Sequence, residues 1–234
     1  MGINVNRMNQ INAAHRQMFS DARDQLHALQ PSLMVIGNGL SQYGYPPDHG
    51  MATLAALDGV CVEHFGAFEG VIDATGKLNA TMMSIWLDLI TQSAAMNKTV
   101  IVKAWVGPET TPIDGYGPTW PTVIQPPLNR TGDGVAKAAA ELLAFPLAAF
   151  LCVIEPNVLL SYAWWYDLAQ GYVPCTPGVE PCDCPAEFYP EFSNYLGPPL
   201  GPPRRQGLQC TREFAGAKIF VDLADETSAS IIWK

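Results

Sequence analysis

The stretch Leu57-Asp58-Gly59-Val60-Cys61-Val62-Glu63-His64-Phe65 decides how this chain is read. Its Asp-Gly pair is turn chemistry. The pair launches a short apolar run, Val60-Cys61-Val62, which ends abruptly on a carboxylate, an imidazole and an aromatic ring. A buried strand whose C-terminal end suddenly carries ionisable groups is how an α/β barrel presents its chemistry to a substrate. The plainer alternative is a strand that ends at the surface, where Glu63 and His64 are merely solvated. The flanking sequence has to separate the two.

Upstream, residues 9–29 predict an amphipathic helix. Ile11, His15, Met18, Phe19, Ala22, Leu26 and Leu29 recur at three- and four-residue steps, which puts His15 on the apolar face as a core histidine. Gln30-Pro31 stops the helix, and Leu33-Met34-Val35-Ile36 follows as a short buried strand broken by Gly37-Asn38-Gly39. Downstream, Asn79 reads as the N-cap of a helix to Met96, with Met82, Ile85, Trp86, Leu89 and Ile90 as its buried stripe. Thr99 to Trp105 is a third strand, Gly134 to Phe145 an alanine-rich helix, and Leu147 to Ile154 a fourth apolar run that ends at Glu155-Pro156.

Helices that alternate with strands apolar at every position mean parallel strands covered on both faces. The expected strands are 33–37, 58–63, 99–105 and 148–154, parallel neighbours in that order, ending in Asn38, Glu63, Trp105 and Glu155. A doubly wound nucleotide-binding sheet gives the same alternation, but no Gly-rich phosphate loop follows any strand, and no cofactor is expected. The chain reads as a single domain, 1–234. The βα units span 9–157, an aromatic helix and a Pro/Cys-rich loop span 158–210, and a β-hairpin with Asp222 to Ser230 as its connection spans 211–234.

Apolar residues make up 48% of the chain and charged ones 15%, a globular composition with a weakly charged surface. The formal charge of −9 argues against nucleic acid or an anionic membrane as partner. No apolar run is long enough to span a membrane, and the first residues contain no apolar signal-peptide core. Of the six cysteines, Cys61 and Cys152 lie in apolar runs and read as inert core thiols, buried and unpaired. Cys175, Cys182, Cys184 and Cys210 fall in loop-like sequence, where disulfides compete with zinc. Their spacing lacks the paired knuckles of a zinc ribbon and no histidine lies nearby, so no metal site is expected. At least two of the four are expected to bridge, which leans toward a secretory compartment. The sequons at Asn79, Asn97 and Asn129 lean the same way.

Several short pieces carry a resemblance. They are Val35-Ile36-Gly37-Asn38-Gly39; Asp58-Gly59 leading to Glu63-His64-Phe65; Ala149-Phe150-Leu151; Ser161-Tyr162; Tyr195-Leu196-Gly197-Pro198-Pro199-Leu200-Gly201-Pro202; and Arg212-Glu213-Phe214 closing on Val221-Asp222-Leu223 and Ile232-Trp233. In that order they are similar to the glycoside-hydrolase-like TIM-barrel proteins grouped as hypothetical glycosyl hydrolase family 15, from about residue 9 to the C-terminus. The resemblance implies a (β/α)8 barrel acting on carbohydrate, and it carries over no catalytic residue. A complete barrel takes about 250 residues and eight strands. Four strands and a hairpin already use up this chain, so the expectation is a partial TIM-type barrel of about four βα units. It would correspond to the C-terminal half, to be completed by another chain or a second copy if it is complete at all.

Glycoside hydrolysis needs two carboxyl groups flanking the bond, about 5 Å apart for retention and about 6.5–9.5 Å apart for inversion. Glu63 is the first candidate and Glu155 its candidate partner. Asn38, Lys103, Trp105, Tyr162 and Trp164 are the candidate sugar contacts; Trp105 stands at a strand end, where a flat ring matches a pyranose face. His64, next to Glu63, points to the other side of an extended strand and is expected to pack. Asp58 belongs to the turn. The class that competes with an enzyme is a carbohydrate-binding protein without hydrolysis, gripping sugar with these aromatics.

Overall fold

Gly59 shows why a strand begins where it does. A Cβ built there would stand 2.4 Å from the Thr99 carbonyl oxygen, so only glycine lets the two backbones approach this closely. The computed structural model describes residues 5–38, 50–65, 79–105, 110–111, 123–124, 140–163 and 189–234. In chain order the elements are α1 (Val5–Leu29), β1 (Ile36–Asn38), α2 (Met51–Leu54), β2 (Gly59–Phe65), α3 (Ala80–Ala95), β3 (Thr99–Trp105), β4 (Thr110–Thr111) and β5 (Val123–Ile124). They continue with α4 (Ala144–Val153), β6 (Val158–Ala163), a 3-10 turn (Pro190–Ser193), β7 (Arg204–Gln206), β8 (Gln209–Glu213), β9 (Ala217–Asp222) and β10 (Ala229–Trp233).

Two compact units divide the chain. One comprises Met1–Glu63, Asp88–Val102 and Ile154–Leu159; the other comprises His64–Leu87, Lys103–Val153 and Leu160–Lys234. The fold is mixed α/β. A four-stranded parallel sheet runs in the order β1-β2-β3-β6, and among the described residues it does not close into a barrel. β1 and β2 pair with Ile36 opposite Gly59 and Asn38 opposite Cys61. Thr99 N donates to Asp58 O at 3.1 Å, and Val100 N to Asn157 O at 2.8 Å, which fix the starts of β3 and β6.

The second and third strands lie where the sequence predicts them. β1 covers 36–38 rather than 33–37, runs through the expected breakers Gly37 and Asn38, and leaves Leu33, Met34 and Ile36 exposed rather than buried. The fourth lies elsewhere. Residues 148–153 belong to α4, and the fourth strand is 158–163. Every residue from Phe145 to Val153 is buried. A run apolar at every position carries neither the helical nor the strand period, so it cannot be assigned by pattern. Pro146 sits in the first helical turn, where its missing N–H has no partner to lose. The aromatic helix expected from residue 158 is likewise strand as far as Ala163: Val158 and Tyr162 are buried, Leu159 and Ser161 exposed. Of the expected helix 134–145, residues 134–139 lie outside the described residues.

The ends of α3 follow the sequence. Met82 N donates to Asn79 Oδ1 at 3.2 Å, the expected cap. At the other end Asn97 takes φ 56°, and Asn157 Nδ2 donates to the carbonyls of Ala94 at 3.3 Å and Lys98 at 2.7 Å. Helix α1 forms as expected, but its apolar face is largely uncovered. His15, Met18, Leu26 and Leu29 are exposed, so His15 is not a core histidine. The spacing specifies a face without supplying a cover. α1 is about 37 Å long, and α2, which packs on it, has 4 residues.

The C-terminal hairpin exists as β9 and β10 and is part of a larger antiparallel sheet, β10-β9-β8-β7. Cys210 and Arg212 on β8, and Ala217, Ile219 and Val221 on β9, form its buried face against α4. Glu213 and Lys218 pair across β8 and β9 at 3.2 Å on the exposed face.

Candidate functional site

Along β2 the pleat turns Val60 and Val62 into the core and leaves Cys61 and Glu63 half-buried on the other face. The parallel register sets Asn38 beside Cys61, one pleat short of Glu63. From there the Asn38 side-chain amide donates from Nδ2 to Oε2 of Glu63. The last residue of β1 thus holds one oxygen of the Glu63 carboxylate, two residues before the end of β2. The sequence marks both as strand ends; Asn38 is one, whereas β2 continues past Glu63 to Phe65, and the structure brings the two side chains together.

The approach to this strand is braced by Asp58. Its Oδ2 accepts the Val35 N–H at 2.8 Å and lies 2.9 Å from His27 Nε2, while its own N–H donates to Val35 O at 3.0 Å. Lys98 Nζ donates to the Leu57 carbonyl at 2.5 Å. Asp58 is therefore turn chemistry, as expected, and also the tie between α1 and β1. The part played by His27 was not read from the sequence; its place on a helix face that the structure leaves half-open gave no signal.

The other candidates scatter. Glu155 is exposed in the connection between α4 and β6, not at the end of a strand. Because Val100 N bonds Asn157 O, Glu155 lies by the start of the strands, about 10 Å or more along the strand direction from the level of Glu63. The structure does not pair the two. Lys103 is half-buried on the same face of β3 as Ile101. Tyr162 is buried, its ring edge-on to Tyr189 with centroids 5.2 Å apart, and burial pushes its hydroxyl up out of the ordinary range. It is packing rather than a sugar contact. The side chains of His64 and Trp105, and all of Trp164, lie outside the described residues.

Cys152 is buried and free as expected, although on α4 rather than in a strand. Cys175, Cys182 and Cys184 lie outside the described residues. Cys210 is in β8 rather than in a loop, buried and free. Cys61 is half-buried rather than in the core. Arg212 is also buried, donating from Nη1 to the Cys152 carbonyl at 3.2 Å, with its guanidinium carbon 5.0 Å from the centre of the Phe214 ring.

A cleft of about 420 Å³ opens on the C-terminal sheet, lined in part by Arg204, Thr211, Glu213 and Lys218. Among the described residues no group of three His, Cys, Asp or Glu side chains is arranged to hold a metal ion, and no helix is long and apolar enough to cross a membrane. No protein-family model matches the chain, and no curated protein matches it.

Proposed function

We propose that this chain is a glycoside-hydrolase-like protein acting on an oligo- or polysaccharide, with Glu63 as the working carboxylate. The observation that carries the reading is the Asn38–Glu63 contact at the C-terminal ends of two adjacent parallel strands. That end is where (β/α) folds collect their chemistry. An amide that orients one carboxylate oxygen is the support a catalytic group needs to meet a glycosidic bond in one geometry. Glu155 is not the second carboxylate in this reading; a partner must come from another part of the site.

The four parallel strands are half of the eight in a TIM-type barrel. Among the described residues β1 and β6 are the outer strands of this sheet, and in this reading strands of a second copy or another chain pair along them and complete a barrel. Light scattering tests that part: a mass above 25.4 kDa supports completion by a partner, and a strict monomer removes it.

The function is tested by incubating the protein with a panel of oligosaccharides and following both binding and the release of new reducing ends. Glu63→Gln is expected to lower turnover on the order of 10²–10⁴-fold while binding persists. Binding with no turnover in the parent protein would make it a carbohydrate-binding protein. Binding to none of the sugars would overturn the reading altogether.

A further inference from the structure

Leu200 N donates to Glu213 O at 2.8 Å, and Arg204 opens β7 opposite Thr211. Between these two ties Gly201, Pro202 and Pro203 stand opposite Arg212 alone. Pro202 and Pro203 have no N–H to give to a ladder, so the segment bulges from β8 instead of pairing with it. A Cβ built on Gly201 would meet no atom within 4 Å, so the space beside the bulge is open. The cleft of about 420 Å³ lies here, lined by the bulge and by residues of β8 and β9. We infer that this cleft is a binding site for an oxyanion, the carboxylate, sulfate or phosphate of a small ligand.

Charge selects that chemistry. Arg204, Arg212 and Lys218 line the cleft against a single carboxylate, Glu213, in a chain whose formal charge is −9. Arg212 is held from the buried face of β8, where it donates to the Cys152 carbonyl, so it contributes field rather than contact. Thr211 and Glu213 on β8 and Lys218 on β9 share the exposed face. Lys218 Nζ lies 3.2 Å from Glu213 Oε1, and both side chains are more than half exposed. Such a pair is weak, and an arriving anion can reopen it. Among the described residues the Arg204 side chain pairs with no carboxylate. Its planar fork matches two oxygens of a carboxylate, sulfate or phosphate. Lys218 adds a point charge and the Thr211 hydroxyl a hydrogen-bond donor. Glu213 works against the anion, both by repulsion and by occupying Lys218. Nothing in this site involves Glu63, so the inference stands apart from the hydrolytic reading.

The experiment titrates sodium phosphate, sodium sulfate and sodium glucuronate into the isotope-labelled full-length protein and follows its amide resonances. Ionic strength is held constant with sodium chloride, and glucose is the uncharged control. Saturable shifts are expected at Thr211, Glu213 and Lys218 with one or more of the anions and not with glucose. Tighter binding of glucuronate assigns the ligand's group as a carboxylate, and tighter binding of phosphate or sulfate assigns a tetrahedral oxyanion. Arg204→Gln should weaken binding on the order of tenfold. Glu213→Gln removes the competing charge and frees Lys218, so it should tighten binding about threefold. Arg23→Gln, on α1, should leave binding unchanged. Arg204 and Glu213 are both exposed; should either variant fail to fold, the wild-type titration and the other variant decide. Shifts that never saturate, shifts spread evenly over the lysines and arginines, an equal response to glucose, wild-type affinity in Arg204→Gln, or weaker binding in Glu213→Gln would overturn the inference.

Discussion

One oxygen of Asp58, Oδ2, accepts the backbone N–H of Val35 and lies 2.9 Å from Nε2 of His27, so a single atom ties a helix, a strand lead-in and a turn together. Asp58→Ala strips both side-chain contacts at once and leaves the Val35 N–H without its acceptor. The expected loss is about 1–3 kcal/mol, which is a fall in Tm of about 3–10 °C. His27→Ala removes only the outer contact and should lose less, about 0.5–1 kcal/mol. Equal losses in thermal unfolding for the two variants would show that the backbone contact contributes nothing.

Gly59→Ala places a methyl group 2.4 Å from the Thr99 carbonyl oxygen. The obstacle is backbone, so β2 and β3 must move apart. A destabilisation of about 1–3 kcal/mol is expected in urea melts. Unchanged stability would mean that the two strand starts are not in fact held this close.

Asn38→Ala frees Oε2 of Glu63 from its amide donor while removing an exposed side chain. Stability should change by less than about 0.5 kcal/mol. If the chain hydrolyses a glycan, turnover should fall on the order of tenfold to a hundredfold, because the carboxylate is no longer oriented. Parallel kinetic and melting measurements separate the two effects, and a loss of folding without a kinetic defect would make the contact purely structural.

Asp222 governs part of the acid response. Gln209 Nε2 and the Ala224 N–H both donate to its carboxylate at 2.9 Å and hold its pKa below the ordinary value. A depressed folded-state pKa contributes stability that is present above the unfolded value and lost as pH falls through the folded one. Below about pH 4, Tm of the wild type should therefore drop more steeply than that of Asp222→Asn. Coincident curves from pH 5 down would remove Asp222 from the acid transition.

Local chemistry was legible where it acts over a few residues. Asn79 was read as a cap because a helix start needs an acceptor for its unpaired N–H groups, and the 3.2 Å bond to Met82 N is that acceptor at work. Asn38 was legible as a strand end, since it closes an apolar run with a polar group, and the end of β2 was legible to within two residues of Glu63. Phe145 to Val153 was not legible, because residues buried on every side erase the periodicity on which such a reading depends. Contacts remote in sequence were equally silent. Nothing near Cys152 announces that Arg212 donates to its carbonyl, and nothing along α1 tells that Met18 and Leu29 face solvent.

The neighbour-to-neighbour order of β7 to β10 has a kinetic consequence. Each of these strands pairs with the next along the chain, so closing the meander requires only short loops. The parallel sheet waits for a far costlier closure, since Val100 meets Asn157 only after the whole intervening chain has been brought round. Local topologies form faster than remote ones. The segment from Arg204 to Trp233 should therefore acquire its pairings early in refolding, with the parallel strands assembling afterwards.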